Sequence, residues 1–190
     1  MTKIQTLMGW AVLAASAMLV SACGDDEPAL QWQRVALDTA DVEMEFPCAP
    51  LFARREVDFG MAHGTVPVEM AGCDAVNSTF ALSHWVLEDA EQADDALAFW
   101  QAAVLASFQA VDGEGAKSGA VFVPSGALEL PRSIRATVQG EGRAGWTVTT
   151  HGAWFARQEG QQVRIFHAVI YAPKPYHRTA QHFFNSIVLK

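Results

Sequence analysis

One long strand near the end of the chain constrains the fold most, because apolar side chains occupy both of its faces. Segment 162–173 interleaves two apolar sets, which are Val163, Ile165, Val169 and Tyr171 on one face and Phe166, Ala168 and Ile170 on the other. Successive side chains of a strand point to opposite faces, so such a strand is buried only in a sheet that is covered on both sides. Segment 144–158 precedes it across a turn at Glu159–Gly160. Together they predict a long antiparallel hairpin whose second arm is a central strand.

Shorter strands are predicted from the same two-residue periodicity. Val42, Met44 and Phe46 alternate in a strand that Pro47 ends. The apolar segments on either side of 60–64 indicate a hairpin or a loose β connection. Further β segments are predicted at 78–88, 119–124, 127–131 and 133–140.

Two amphipathic helices are also predicted. The first lies within 88–110, where Asp89 can serve as the N-cap, and the second within 176–189, after Pro175. Their inward stripes are Ala93, Leu97, Trp100, Val104 and Phe108 in the first helix and Ala180, Phe183, Phe184 and Ile187 in the second. Hairpins rather than βαβ crossovers join these elements. The order predicts an α+β domain, a mainly antiparallel β-sheet with helices packed on it.

The first residues indicate an export signal. The apolar stretch from Leu7 to Ala22 has the length of a signal-peptide core and is shorter than the ~20 residues that a membrane-spanning helix needs. Small residues lead to Cys23, and "VSAC" resembles the lipobox of bacterial lipoproteins, with Val20 in place of the usual leucine. The resemblance implies that the signal peptide, 1–22, is removed and that the Cys23 thiol carries diacylglycerol, which anchors the chain to a membrane. The alternative is a plain secreted protein.

The remaining chain divides into an anchored tether and one domain. The lipidated cysteine and a short acidic tether occupy 23–31, and a single globular domain occupies 32–190. Losing Lys3 with the signal takes the net charge from −8 to −9. A surface of this sign is repelled by nucleic-acid phosphates and by anionic headgroups. Nucleic acid is therefore not expected as a partner, and the membrane is reached through the lipid.

The two other cysteines suit a disulfide. With Cys23 acylated, Cys48 and Cys73 form an even pair in a compartment that is oxidising. The alternative is a metal pair, which no CxxC or Cys/His cluster supports. We expect the Cys48–Cys73 disulfide and no metal.

The order of elements resembles the PsbP-like fold, which includes the bacterial DcrB-like lipoproteins. The similarity spans Trp32 to Lys190 and includes "MEFPCAP", a mid-chain helix, the late hairpin and the terminal "HFFNSIVL". It implies an α/β/α sandwich around a central antiparallel sheet. Members act mostly as envelope or photosystem accessory factors, chaperones or binding modules, without a shared catalytic site.

Motifs of catalysis are missing from the sequence. It contains no G-x-S-x-G nucleophile elbow, no P-loop and no G-x-G-x-x-G. His177 and His182 are five residues apart, which puts them on different faces of a helix. His151 and His167 would face each other in one register of the hairpin, and His84 or His63 could complete a site only through tertiary contacts. We therefore expect no catalytic residues and no cofactor.

These features predict a lipoprotein that is not an enzyme and that binds a protein partner in the cell envelope. The partner would be an assembly that the chain supports or a toxin that it neutralises, and adjacent aromatic pairs such as Trp154–Phe155 could expose one ring to it. Gly24 rather than aspartate follows Cys23, which indicates the outer membrane, facing the periplasm. The alternatives are a carrier of a lipid or another apolar ligand and an enzyme that gathers histidines with a carboxylate.

Overall fold

The computed structural model describes residues 27–59, 64–106, 109–110 (backbone only), 119–141 and 145–190. The predicted signal peptide, Cys23, His63 and Phe108 lie outside the described residues. None of the described helices is long and apolar enough to cross a membrane.

Antiparallel strands make up most of the described chain. In chain order the elements are β1 (Gln33–Leu37), β2 (Val42–Phe46), β3 (Leu51–Asp58), β4 (Thr65–Ala75), β5 (Ser78–Leu87), α1 (Ala93–Ala106), β6 (Gln109–Ala110), β7 (Ala120–Val121), β8 (Ile134–Glu141), β9 (Thr147–Glu159), β10 (Gln162–Ala172), α2 (His177–Asn185) and β11 (Val188–Leu189). The main sheet has the order β3-β4-β5-β10-β9-β8-β6, with β7 also paired to β8, and a small sheet has the order β1-β2-β11. The predicted α+β class is confirmed.

The late hairpin lies at the centre of the main sheet, as predicted. Strand β10 pairs with β5 on one side and with β9 on the other, and Gln162 lies opposite Glu159 beside the turn. In this register His151 lies opposite Ile170 and His167 lies opposite Trp154. The register in which the two histidines face each other is therefore wrong, because the tight turn offsets the arms by three residues.

Two hydrophobic cores cover the opposite faces of the main sheet. Phe166 and Ile170 of β10 enter the core that contains α2 and the small sheet. Ile165 enters the core that contains Leu97 and Trp100 of α1. One helix thus packs on each face, which is why β10 carries apolar residues at consecutive positions.

The ends of the helices differ from the predicted ones. Asp89 accepts a hydrogen bond from the Glu91 N–H at 3.0 Å and so caps a 3-10 turn, Ala90–Gln92, that leads into α1. Helix α2 ends at Asn185 rather than continuing to Leu189, because the last residues pair with β2 as β11. The segment 127–131, predicted as a strand, instead makes turns, and only its Leu128 N–H bonds the main sheet, at Ala156 O.

The predicted disulfide joins Cys48, just before β3, to Cys73 in β4. The two Cα atoms are 6.0 Å apart, and the bond lies at the open end of the β3–β4 hairpin. It therefore holds the terminal strand of the main sheet to its only sheet neighbour among the described strands.

Removing this disulfide should destabilise the domain substantially. For a sequence separation of 25 residues, the chain-entropy relation gives a loss of about 3.5 kcal/mol in the free energy of unfolding for Cys48→Ala with Cys73→Ala. Urea denaturation at pH 7, followed by tryptophan fluorescence, measures it. A loss below about 1 kcal/mol would show that removing the disulfide adds little conformational entropy to the unfolded chain.

Candidate functional site

The chain that leads into the domain is held against the N-terminus of α2. The Glu27 carboxylate accepts backbone N–H bonds from Arg178 and Thr179, both at 2.8 Å, and a hydroxyl bond from Thr179 at 3.0 Å. The first turn of a helix has unpaired N–H groups and a positive end, so a carboxylate is stabilised there. Burial acts to raise the pKa of Glu27, but these hydrogen bonds and the Arg178 guanidinium together hold it below its usual 4.5.

Apolar contacts extend this docking towards the first strand. Leu30 and Trp32 pack against the core under α2, and the Trp32 ring centroid lies 4.4 Å from that of His182. The predicted tether therefore contacts the domain from Glu27 onwards. A fully extended chain from Cys23 to Glu27 spans at most about 14 Å.

A groove of about 450 Å³ lies between α2 and strands β8 and β9, and we call it the α2 groove. None of the described residues that line it is a carboxylate. Its polar lining is Arg135, Thr137, His151, His177 and Gln181, and its apolar floor includes Ala136, Ala180 and Phe184.

His151 is the most buried polar group of the α2 groove, with 2 % of its surface exposed. Its Nδ1 lies 2.9 Å from the Thr137 hydroxyl, while its Nε2 has no hydrogen-bond partner among the described residues. Burial, and then the neighbouring His177 ring at 5.7 Å, lower the pKa of His151 to about 4. The neutral ring can form one further hydrogen bond to a group that enters the groove.

The other predicted histidines do not join His151 in one site. His167 points to the α1 side of the sheet, where its ring stacks 4.8 Å from Trp154. His84 lines a different hollow and lies 3.1 Å from Arg164. Within the described ranges no group of three or more histidine, cysteine, aspartate or glutamate residues could hold a metal. His84 lies instead beside a carboxylate, with its Nε2 3.8 Å from Glu69 in that hollow. His84, His151 and His167 therefore lie in three separate places.

A second hollow, of about 410 Å³, opens beside the terminal strand β3, and we call it the β3 hollow. Its apolar lining includes Leu37, Phe52 and Met70. Leu51 is 82 % exposed and Phe52 65 % exposed. As consecutive residues of a strand they lie on opposite faces, and of the two Phe52 lines the hollow. Arg54 and Glu69, 3.8 Å apart, form a charged border of the hollow.

Sequence reasoning placed the exposed apolar surface elsewhere. Both Trp154 and Phe155 are buried, one in each core, because helices cover both faces of the main sheet. The sequence predicts only a hairpin or a loose β connection at Leu51 and Phe52. The signal of their exposure was the run of charged residues in 54–58, which is typical of an edge strand.

No protein-family profile and no curated protein matches this chain. Its candidate sites are accordingly defined by geometry, as the α2 groove and the β3 hollow.

Proposed function

We propose that this chain is a lipid-anchored protein of the bacterial cell envelope that performs no catalysis and binds a protein partner through β3. Acylated Cys23 would be the anchor, most naturally in the inner leaflet of the outer membrane, with the domain facing the periplasm. The Cys48–Cys73 disulfide supports an oxidising compartment. The partner would be an envelope assembly that the chain stabilises or a toxin that it neutralises.

The PsbP-like resemblance forms part of this proposal. It is supported by a central antiparallel sheet with α1 against one face and α2 against the other. A sandwich of this kind would act as a binding module rather than as a scaffold for an active site.

The observation that carries the proposal is that Leu51 and Phe52 are both exposed, one on each face of the terminal strand of the main sheet. A terminal strand presents backbone N–H and C=O groups that can pair with a strand of another protein. The adjacent β3 hollow offers a place for an apolar side chain of the added strand, bordered by Phe52 and Met70. We therefore propose an extended segment of the partner, paired with β3, as the occupant.

A ligand carrier is the weaker proposal. The space between the main sheet and α2, where an apolar ligand would lie, is filled by aromatic rings. Phe46 and Phe80 each place their ring centroid 5.5 Å from that of Phe183, and all three side chains are fully buried. Protein interiors of this density leave no room for a lipid chain without rearrangement.

Site-specific photo-crosslinking in host cells tests the proposal. A photoreactive phenylalanine analogue at Phe52 should give one reproducible protein adduct, which mass spectrometry identifies. The matched control is the same analogue at Val121, which is 80 % exposed on β7, far along the sheet order from β3. The control should give no such adduct.

A surface variant completes the experiment. With the analogue at Leu51, Phe52→Asp should lower the adduct yield by about tenfold, since it places a charge at the rim of the β3 hollow. Val121→Asp should leave the yield unchanged. Equal labelling from Phe52 and Val121, or no adduct from Phe52, would overturn the proposed surface.

A further inference from the structure

We propose that the α2 groove binds the phosphate group of a phospholipid in the membrane that anchors the chain. That the phosphate belongs to a membrane lipid rests on the proposed lipid anchor. That the groove binds a phosphate group at all is inferred from the residues of the groove alone. The alternative source, free inorganic phosphate, is one outcome of the test below.

The polar lining of the groove consists of donors. Arg135 contributes a guanidinium with no ion-pair partner among the described residues, and Gln181 contributes an amide that can donate. Planar guanidinium groups match the paired oxygens of phosphate. The described lining of the groove contains no carboxylate, so an anion would meet only donors there. The charge of Glu27 acts on His151, but its oxygens are already hydrogen-bonded to Arg178 and Thr179.

His151 provides the second observation. The residue lines the groove, is almost fully buried, and has no hydrogen-bond partner for its Nε2 among the described residues. A buried nitrogen without a hydrogen bond destabilises the free groove, and a ligand oxygen that reaches it would remove that cost. If Thr137 donates to Nδ1, then Nε2 carries the proton and donates to the phosphate.

The docked tether places the groove at the membrane. Glu27 is held by the first turn of α2, and His177, in that same turn, lines the groove. With at most about 14 Å of chain from Glu27 to Cys23, the acyl chains would enter the bilayer close to the groove. The exposed Lys174, three residues before α2, adds a positive charge at this end.

The negative charge of the whole domain does not prevent this binding. The acidic first turn of α1, with Asp94 and Asp95, belongs to the helix that packs on the other face of the sheet. The sheet lies between the two helices, with about 10 Å from each layer to the next. The exposed charges of α1 are therefore more than one Debye length, about 8 Å at physiological salt, from the groove and are largely screened from it. The apolar floor at Ala180 and Phe184 suits the glycerol and upper acyl carbons that follow the phosphate.

The mature full chain, purified from its host in a nonionic detergent, tests the inference. Histidine side-chain nitrogen resonances report on His151 Nε2. Titration with glycerophosphoglycerol, the soluble headgroup of phosphatidylglycerol, should shift this resonance, and transfer into phosphatidylglycerol nanodiscs should give the same shift. Nanodiscs of a galactolipid, which has no phosphate, should not.

Variants identify the residues responsible. Arg135→Gln should weaken headgroup binding by about tenfold, the usual effect of losing one charged hydrogen bond. Arg132→Gln is the matched control, since this exposed arginine lies outside the lining, and it should change binding less than twofold.

The remaining results separate a failure of the inference from a failure of the proposed anchor. If inorganic phosphate binds as tightly as the headgroup, the groove is a site for free phosphate. If no probe shifts the His151 resonance, the groove is not a phosphate site. A mass that shows unmodified Cys23 would overturn the proposed lipid anchor instead. The titrations with soluble headgroup and with inorganic phosphate would then still test whether the groove binds phosphate.

Discussion

Acidification from pH 7 to about pH 4.5 is expected to unfold this domain, because three buried histidines must stay neutral in the folded state. Burial lowers the pKa of His167 to about 3 from the usual 6.5. Burial, and then the Arg164 guanidinium, lower the pKa of His84 to about 4, and His151 has a similar value for the reasons given above.

The sign follows from where the protons bind. Below pH 6.5 the unfolded chain takes up protons on these rings, while the folded chain does so only near pH 4. The contribution of these neutral rings to the free energy of unfolding is therefore fully present above pH 6.5. It is lost as the pH falls from 6.5 towards 4. Each ring contributes about 1.4 kcal/mol per pH unit, so three contribute about 4 kcal/mol per unit, against a usual total of about 5–15 kcal/mol. Carboxylates whose pKa is lowered in the folded state, such as Glu27 and Glu159, add to the loss only below their usual pKa of 4.5.

Urea denaturation at pH 7, 6 and 5 measures this slope. His167→Phe keeps a ring between Trp154 and Trp100 while removing one titrating group, so it should reduce the slope by about a third. Trp146→Phe changes an exposed ring that does not titrate and should leave the slope unchanged. Stability that stays constant from pH 7 to 5, or a His167→Phe slope equal to that of the natural chain, would contradict the prediction.

Arg157→Met is expected to cost about 3–5 kcal/mol in the free energy of unfolding. The buried guanidinium donates to Asp41 O at 2.9 Å, Ala40 O at 2.9 Å and Lys190 O at 3.2 Å. It also pairs with Glu159. Methionine retains most of the apolar stem but leaves the three carbonyl groups without this donor. The loss should appear as a lower urea midpoint at pH 7.

Arg54→Met is the control for this variant. Arg54 is also paired with a glutamate, at 3.8 Å from Glu69, but its side chain is mostly exposed. Exposed pairs contribute about 0–1 kcal/mol, so its effect should be small. Equal losses for the two variants would show that Arg157 acts as an ordinary surface charge. Hydrogen exchange should also locate the Arg157→Met effect at Asp38–Ala40 and β11, the segments that its bonds hold.

Residue periodicity predicted the elements that are buried locally. The two apolar sets of 162–173 indicated a central strand, and the Leu97–Trp100 stripe indicated a helix with one buried face, because burial of alternate or helical positions is visible in a short window. Apolar spacing did not predict the hairpin register. The offset of three residues comes from the turn and the packing of the arms, and it separates His151 from His167.

Two contacts that hold distant segments of the domain together lie beyond any local pattern. The Glu27 carboxylate reaches α2 across 152 positions of sequence, and Arg157 reaches Asp41 across 116. Neither residue belongs to a motif. Exposure of Leu51 and Phe52 likewise depends on β3 being the terminal strand, which strand order alone decides.

From the sequence alone came the α+β class, the central hairpin, the two apolar helix stripes and the pairing of Cys48 with Cys73. Only the tertiary structure decided that the tether docks on α2, that the last residues join β2, and which polar groups meet in the α2 groove. The reason is physical: side-chain periodicity records which faces are buried, whereas contacts between distant segments depend on register and strand order, which are set by the packing of the whole domain.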